Sequence, residues 1–268
     1  MGGTPLDASV ISAVCAWNLW TSVEVVARTG STNADLLSRG GPEGQVLVAE
    51  EQTAGRGRMG RSWVSEPGAS LTFSVLLRPE SVLPSRRGWL PLLAGVAVAT
   101  ATRSVSDVYA TLKWPNDVLA GERKLAGILA EQSGDVVVIG VGLNVSTPAD
   151  ALPVSSGGLR ATSLLAEDAE VSREALLAGI LRELERRYVA FRDDPPAGGD
   201  ALLTEYRALC ATLGQEVRAE LPGGRVLSGV AQDIDTSGRL LIAVGDGAPP
   251  TPISAGDVVH VRLHERNA

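Results

Sequence analysis

The pattern of hydrophobic and polar positions predicts an α/β body that consists of strands and amphipathic helices. The run VVVIGVGLNV, at residues 136–145, is apolar at almost every position and predicts a strand in the centre of a sheet. The residue pattern predicts strands over 23–28, 46–51, 71–77, 109–113, 117–120, 124–132 and 135–145. It predicts helices over 7–20, 30–37, 87–104, 162–166, 172–192 and 200–210.

Local signals define several of these elements. Ser31 or Thr32 is suited to cap the second helix, and the segment DDPPAGG at 193–199 is expected to break the last two helices. In the first helix Val10, Val14 and Trp17 share one side. Residues 53–62 are rich in Gly and Arg and have no periodicity, which predicts a loop.

The pattern of apolar and turn-forming residues changes after residue 212. Short apolar runs are separated by Pro-Gly-Gly and Asp-Thr-Ser-Gly, which are turn signals, at intervals of about ten residues. This pattern predicts a small β-barrel. We therefore expect two domains, an α/β domain over 1–211 and an all-β domain over 212–268.

Composition and charge exclude several classes of function. The 268 residues have a formal net charge of -7, which argues against a protein that coats nucleic acid. No apolar run approaches the ~18 residues of a membrane span, and the first residues do not resemble a signal peptide. We therefore expect a cytoplasmic protein without a membrane or nucleic-acid partner. Cys15 and Cys210 fit no metal spacing and predict reduced, buried thiols, and no metal site is predicted.

The densest chemical signal is the segment GRGRMGR at residues 55–61. Glycines let a backbone approach a ligand closely, and arginines offer paired donors to phosphate or carboxylate groups. The segment favours an anion-binding loop that is mobile until an anion arrives, because ordering three close positive charges is unfavourable. A solvated loop and an RNA tether are the alternatives. The segment is not a phosphate-binding P-loop, because the G-x-x-x-x-G-K-[ST] arrangement is absent.

Lysine is rare in this chain. Only Lys113 and Lys124 occur among 24 basic residues, and the other 22 are arginines. A lysine that persists in such a chain indicates a site where a compact ammonium is needed, although chance is the simpler explanation. Lys113 belongs to KWPND, in which Trp114 is interpreted either as a core residue or as part of the site. Lys124 begins a strand ahead of Gly127, where a ligand can press on bare backbone.

Five motifs together resemble the biotin–protein ligase family (biotin–[acetyl-CoA-carboxylase] ligase). STNAD, GRGRMGRSW, KWPNDVL, RKLAGIL and GVGLN occur in this order, ahead of the predicted barrel, and the resemblance covers residues 24–266. It implies a catalytic mixed sheet like that of class II aminoacyl-tRNA synthetases, with an SH3-like C-terminal domain. It also implies that biotin and Mg-ATP form biotinyl-5′-AMP, and that biotin then passes to a lysine of a biotin carboxyl carrier domain.

The resemblance also implies roles for particular residues, and Lys113 has a weaker claim than Lys124. The implied catalytic residues are Lys124, Arg56, Arg58 and Asp117. The implied biotin-binding residues are Ser31, Thr32, Asn33, Gln52, Arg56, Gly57, Arg58, Lys124, Gly127 and Leu129. The implied ATP and adenylate contacts are Gly55, Arg56, Gly57, Arg58, Gly60, Arg61, Trp63, Asn116, Lys124 and Asn144. Asp117 would orient the incoming lysine or take its proton.

Two features bear on the type of ligase. Met59 stands where many relatives carry a further Arg, Lys or His, so the charge of the loop is one lower. The STN motif begins at residue 31, which leaves no room for the ~55 residues of a helix-turn-helix domain, so the monofunctional type is expected. The alternatives are a lipoate or octanoyl protein ligase and, in a different class, an RNA-binding module that uses the Arg/Gly loop.

Overall fold

The computed structural model describes residues 5–14, 18–64, 66–153, 159–221, 223–245, 247–254 and 256–260. Cys15, Trp17 and the side chain of Val14 lie outside these described residues. In the described residues twelve strands form two sheets, and four of the five α-helices contact the larger sheet. The α/β class with a C-terminal antiparallel sheet, predicted from the sequence, is confirmed.

The larger sheet has seven strands in the order β1-β2-β3-β7-β6-β5-β4. The strands are β1 (Ser22–Val26), β2 (Gln45–Ala49), β3 (Ser70–Leu77), β4 (Ala110–Lys113), β5 (Asp117–Ala120), β6 (Arg123–Ser133) and β7 (Val136–Asn144). Strands β1 and β2 are parallel and the other neighbours are antiparallel. The predicted central strand is confirmed, since β7 lies between β3 and β6. It is apolar because both of its faces are covered.

The helices are α1 (Ala8–Val14), α2 (Thr32–Arg39), α3 (Trp89–Ser106), α4 (Arg173–Asp193) and α5 (Pro195–Leu209). Helix α2 covers one face of the sheet, where Leu36 packs with Leu47 and Val138. Helix α3 covers the other face as a buried apolar helix, as predicted, and α4 packs behind it.

Three helix predictions were wrong. The first helix was predicted over 7–20, but α1 is Ala8–Val14 and residues 18–20 are not helical; Ile11 is its buried residue, whereas Val10 is 46% exposed. The predicted helix over 162–166 is only a single 3-10 turn, Leu165–Glu167. Helix α5 begins at Pro195 rather than at residue 200, because proline is suited to the first turn and the Asp194 side chain accepts from Ala197 N–H. Gly198 fits there since a Cβ on it would lie 2.6 Å from the Ala190 carbonyl carbon.

The second sheet follows residue 215 and has five antiparallel strands in the order β11-β10-β9-β8-β12. The strands are β8 (Glu216–Glu220), β9 (Val226–Ile234), β10 (Leu240–Ala243), β11 (Thr251–Ile253) and β12 (Asp257–His260). The end of the segment VVHVRL lies outside the described residues. The domain boundary expected at 211/212 falls between α5 and β8.

Two tryptophans join the two sheets through the turn that follows β9. Trp89 Nε1 donates to the Thr236 carbonyl at 2.9 Å, and Trp114 Nε1 donates to the Gly238 carbonyl at 3.1 Å. Both side chains are 1% exposed. The interpretation of Trp114 as a core residue is therefore confirmed, and the hairpin KWPND that contains it is fixed to the second sheet. Cys210 is a free, buried thiol, as expected.

Candidate functional site

The motifs meet at a cavity of about 360 Å³ between the Arg/Gly loop, the ends of β5–β7 and β12. Most of the residues implied by the resemblance line this cavity. These are Ser31, Thr32, Asn33, Gln52, Arg56, Gly57, Arg58, Arg61, Trp63, Asn116, Asp117, Lys124, Gly127, Leu129 and Asn144. Gly55 and Gly60 are the exceptions, because they lie within the loop and do not line the cavity.

One end of the cavity, which we call the amide end, is formed by Ser31, Thr32, Asn33 and Gln52. Ser31 caps α2, and its hydroxyl accepts from Ala34 N–H at 3.5 Å. The backbone N–H and the hydroxyl of Thr32 both donate to Gln52 Oε1, at 2.8 and 3.0 Å. These bonds fix the amide of Gln52, so its NH₂ group has a defined direction.

Asn33 is buried at the amide end and is held on every side. Its Nδ2 donates to the Leu129 carbonyl at 3.1 Å and to Glu131 Oε2 at 2.8 Å, and Ser74 Oγ donates to its Oδ1 at 2.6 Å. A Cβ atom on Gly140 would lie 3.0 Å from Asn33 Cγ, so the absence of a side chain there makes room for the amide. Asn33 therefore fixes this part of the cavity wall.

The Arg/Gly loop forms a small hairpin with a 3-10 turn, Arg58–Gly60, at its tip. Gly57 N–H donates to the Arg61 carbonyl at 2.6 Å, and Trp63 N–H donates to the Gly55 carbonyl at 2.9 Å. Met59 has a left-handed backbone, with φ 55°, and is 63% exposed. The loop therefore has a defined path, along which its three arginines and the largely exposed Met59 line the cavity.

Each arginine of the loop has a partner within the chain. Arg56 lies 3.2 Å from Glu131, and Arg58 donates to Asn116 Oδ1 at 3.1 Å. Arg61 forms an ion pair with Asp257 of β12. Burial lowers the pKa of Arg58. These partners offset the repulsion among the arginines. Charge repulsion alone therefore gives less reason to expect a mobile loop. The mobility of the loop stays a prediction.

Trp63 lies flat on the floor of the cavity. A Cβ atom on Gly142 would lie 2.6 Å from Trp63 Cζ2, and one on Gly127 would lie 3.4 Å from Trp63 Cζ3. Neighbouring strands β6 and β7 pair these two glycines directly. The buried Trp63 Nε1 has no hydrogen-bond partner among the described residues. The indole is thus placed to stack against a flat ligand.

Lys124 and Asp117 both line the cavity and form an ion pair with each other. Lys124 Nζ lies 2.6 Å from Asp117 Oδ1, and both side chains are largely buried. Asn116 Nδ2 donates to the Ile128 carbonyl at 3.1 Å, which fixes the turn that presents Asp117. Asn144 Nδ2 donates to the Thr162 carbonyl at 2.9 Å. The positive charge of Lys124 is therefore held at a defined point with its donor atoms inside the cavity.

A second group of lining residues, which we call the junction end, is formed by Lys113, Arg61 and Asp257, where the two sheets meet. Asp257 and Glu131 were missed by sequence reasoning because their roles depend on distant segments. The pair Gly140 and Gly142 carried a usable signal, because glycines two apart in a central strand leave room on one face.

No helix in the described part of the chain has the length and apolar character to cross a membrane. The same residues contain no group of three or more His, Cys, Asp or Glu that could hold a metal ion.

Comparison with known families agrees with this geometry. Residues 24–144 match the Biotin/lipoate A/B protein ligase family, which defines the class of protein. Residues 212–261 match the Biotin protein ligase C terminal domain. The chain belongs to the biotin protein ligase family.

Two relatives place the chain within this family. It is 44% identical to the biotin--[acetyl-CoA-carboxylase] ligase of Mycobacterium tuberculosis, over 96% of this chain and 97% of that protein. It is 33% identical to the bifunctional ligase/repressor BirA of Escherichia coli, over 82% of this chain and 69% of that protein.

A solved structure shares the whole architecture. The biotin protein ligase from Aquifex aeolicus in complex with biotin and ATP superimposes with a TM-score of 0.76 at 28% identity. The match covers 91% of this chain and 100% of that chain. The fold implied by the motif resemblance, a catalytic sheet with a separate C-terminal sheet, is confirmed by this match.

Proposed function

We propose that this chain is an ATP-dependent biotin–[acetyl-CoA-carboxylase] ligase. It activates biotin as biotinyl-5′-AMP and transfers the biotinyl group to a lysine of a biotin carboxyl carrier domain. The observation that carries the proposal is the cavity itself, in which fixed amides at one end and five cationic side chains surround a single space. A molecule with a neutral polar ring and a carboxylate suits the amide end, and ATP suits the cationic part.

In the activation step, an oxygen of the biotin carboxylate attacks the α-phosphorus of ATP. The bond from that phosphorus to the bridging oxygen breaks, and the electron pair leaves with pyrophosphate. Two anions must approach each other, so fixed positive charge at the point of attack lowers the barrier. Lys124, Arg56 and Arg58 supply this charge. Magnesium would enter with ATP as part of that substrate and would offset some of the charge of the phosphates.

In the transfer step, the amine of the carrier lysine attacks the biotinyl carbonyl carbon. An amide bond forms, the bond from that carbon to the phosphate oxygen breaks, and AMP leaves. The attacking amine has to lose a proton, and Asp117, a carboxylate that lines the cavity, would orient the ammonium or accept the proton. The ion pair with Lys124 keeps Asp117 in position until the carrier arrives.

The amide end would hold the ureido ring through the fixed donors and acceptors of Thr32, Asn33 and Gln52. Trp63 and Asn144 would lie against the adenylate. With ATP as substrate, the cytoplasm is the proposed location. The two-domain division at 211/212 is proposed because this boundary falls between α5 and β8.

The test is incubation with biotin, Mg-ATP and a carrier domain, with the mass of the carrier as the readout. A gain equal to one biotinyl group is expected, and the gain should be lost when biotin or ATP is omitted. A parallel incubation with lipoate tests the alternative substrate, because the matched family includes ligases for both acids. Modification by lipoate but not by biotin would overturn the proposal. Binding of RNA that persists in moderate salt would favour the RNA-binding alternative.

A further inference from the structure

Five cationic side chains line the cavity, and four of them have a partner within the chain. Arg56 contacts Glu131, Arg58 contacts Asn116, and Arg61 contacts Asp257. Lys124 contacts Asp117. The fifth cation is Lys113. Among the described residues it has neither an ion pair nor a side-chain hydrogen bond.

Lys113 is also the most buried of these cations, with 5% of its surface exposed. It is the last residue of β4, in register with Asp117 of β5, and its side chain lines the cavity. Burial lowers the pKa of its ammonium group, while the carboxylates of Asp117 and Asp257 act in the opposite direction. A buried ammonium without a bonded partner is unfavourable, and such a group is retained where a ligand neutralises it.

The position of Lys113 indicates which ligand group this is. The lysine lies at the junction end, where the charges that act on it are Asp117, Lys124, Arg61 and Asp257. Asn33 of the amide end bonds to Leu129 of β6, whereas Lys113 lies two strands away on β4. Lys124 contacts Asp117 of β5, the strand between β6 and β4. A substrate that extends from the amide end past Lys124 therefore reaches Lys113 with its far end. In ATP this far end is the β- and γ-phosphates, which carry most of the negative charge.

We propose that Lys113 binds the pyrophosphate group of ATP and stabilises it as it leaves during activation. This inference rests on the proposed function. The bond that breaks is the one from the α-phosphorus to the bridging oxygen, and the electron pair adds negative charge to pyrophosphate. Lys113 stays protonated throughout and supplies charge at the leaving oxygen. Arg61 must break its ion pair with Asp257 before it can bind phosphate, whereas, in the described part of the chain, Lys113 has no ion pair to break.

The inference separates the two half-reactions, because preformed biotinyl-AMP has no β- or γ-phosphate. In Lys113→Met, biotin-dependent exchange between ATP and pyrophosphate should fall about 10²-fold, which is the scale of one preorganised charge-stabilising group. The KM for pyrophosphate in the reverse reaction should rise. Transfer from preformed biotinyl-AMP to the carrier should stay at the wild-type rate. Arg123→Met is the matched control, because it removes an exposed cation of β6 that pairs with Glu167 outside the cavity.

A second measurement needs no variant enzyme. Lysine labelled with ¹³C at Cε gives side-chain signals from Lys113 and Lys124 alone. Titration of the wild-type enzyme with pyrophosphate should shift the Lys113 signal more than the Lys124 signal. Biotinyl-AMP should shift Lys124 more. This result holds even where Lys113→Met does not fold.

The possible failures are distinct. If the wild-type enzyme shows no exchange, the proposed function is wrong and the inference falls with it. If the wild-type enzyme is active but Lys113→Met loses both half-reactions equally, or loses neither, the inference alone is overturned. A pyrophosphate titration that leaves the Lys113 signal unshifted also overturns it.

Discussion

Two glycines of β7 allow the ATP side and the biotin side of the cavity to be perturbed separately. Gly140 and Gly142 are two residues apart on a strand, so they point to the same face of the sheet. Gly142 lies under the indole of Trp63, and Gly140 lies under the amide of Asn33. A methyl group added at either position reaches only its own neighbour. We predict that Gly142→Ala impairs the use of ATP and that Gly140→Ala impairs the use of biotin.

The size of the effect follows from the distances. The new methyl carbon at residue 142 would lie 2.6 Å from Trp63 Cζ2, whereas carbon atoms pack at about 3.5 Å or more. The indole must therefore move by about 1 Å, because the strand beneath it is fixed by β3 and β6 on both sides. A displacement of about 1 Å in a positioning group can lower the rate about 10²-fold, and we expect that loss in kcat/KM for ATP.

The assay is biotin-dependent exchange of pyrophosphate into ATP, with one substrate varied while the other is saturating. Gly142→Ala should raise the KM for ATP and leave the KM for biotin near its wild-type value, and Gly140→Ala should do the reverse. Gly245→Ala is the matched control, since no atom lies within 4 Å of its added carbon. Thermal unfolding checks that all three variants fold. In the two β7 variants the preference for alanine over glycine in a strand, about 0.5–1 kcal/mol, offsets part of the cost of the close contact.

The reasoning would be refuted by wild-type kinetics in Gly142→Ala. It would also be refuted if Gly140→Ala changed the KM for ATP instead of that for biotin. Either result would mean that Trp63 or Asn33 takes another position when substrates bind.

Three further predictions concern single side chains. Lys124→Arg keeps the charge but enlarges its head, and adenylate formation should fall about 10²-fold in the exchange assay, whereas an active variant would contradict the role given to Lys124. Trp114→Phe removes the donor to the Gly238 carbonyl, which should lower the free energy of unfolding by about 1 to 3 kcal/mol in denaturant titrations, and unchanged stability would contradict this. Burial lowers the pKa of His260 to about 4, so between pH 6.5 and 4 the unfolded state binds more protons and stability falls on acidification. His260→Gln should show a smaller fall, and an unchanged pH profile would contradict this.

Much of the larger sheet could be predicted from the sequence because its strands are apolar and bounded by turn residues. The central position of β7 followed from its unbroken apolar run, and Ser31 followed from cap chemistry. The start of α5 was missed because Pro195 was interpreted as a breaker, although proline is also suited to the first turn of a helix. The turn Leu165–Glu167 was missed because a segment this short has too few positions to establish a helical period.

The residues of the candidate site that belong to the five motifs could be predicted from the sequence. The resemblance named residues such as Lys124 and Trp63, which line the cavity. It did not indicate that Glu131 and Asp257 contact arginines of the loop, because these contacts join segments far apart in the chain. Such contacts depend on how the two sheets pack. Local sequence patterns carry no information about contacts between segments so far apart in the chain.

The internal partners of the cations have a consequence for binding in salt. When a substrate carboxylate or phosphate reaches Arg56 or Arg61, it replaces Glu131 or Asp257, so one anion is exchanged for another. The net charge beside each arginine then changes little, and few bulk counterions are released. Substrate affinity should therefore depend on ionic strength less steeply than the number of cations suggests, since added salt weakens the internal pair and the substrate contact together.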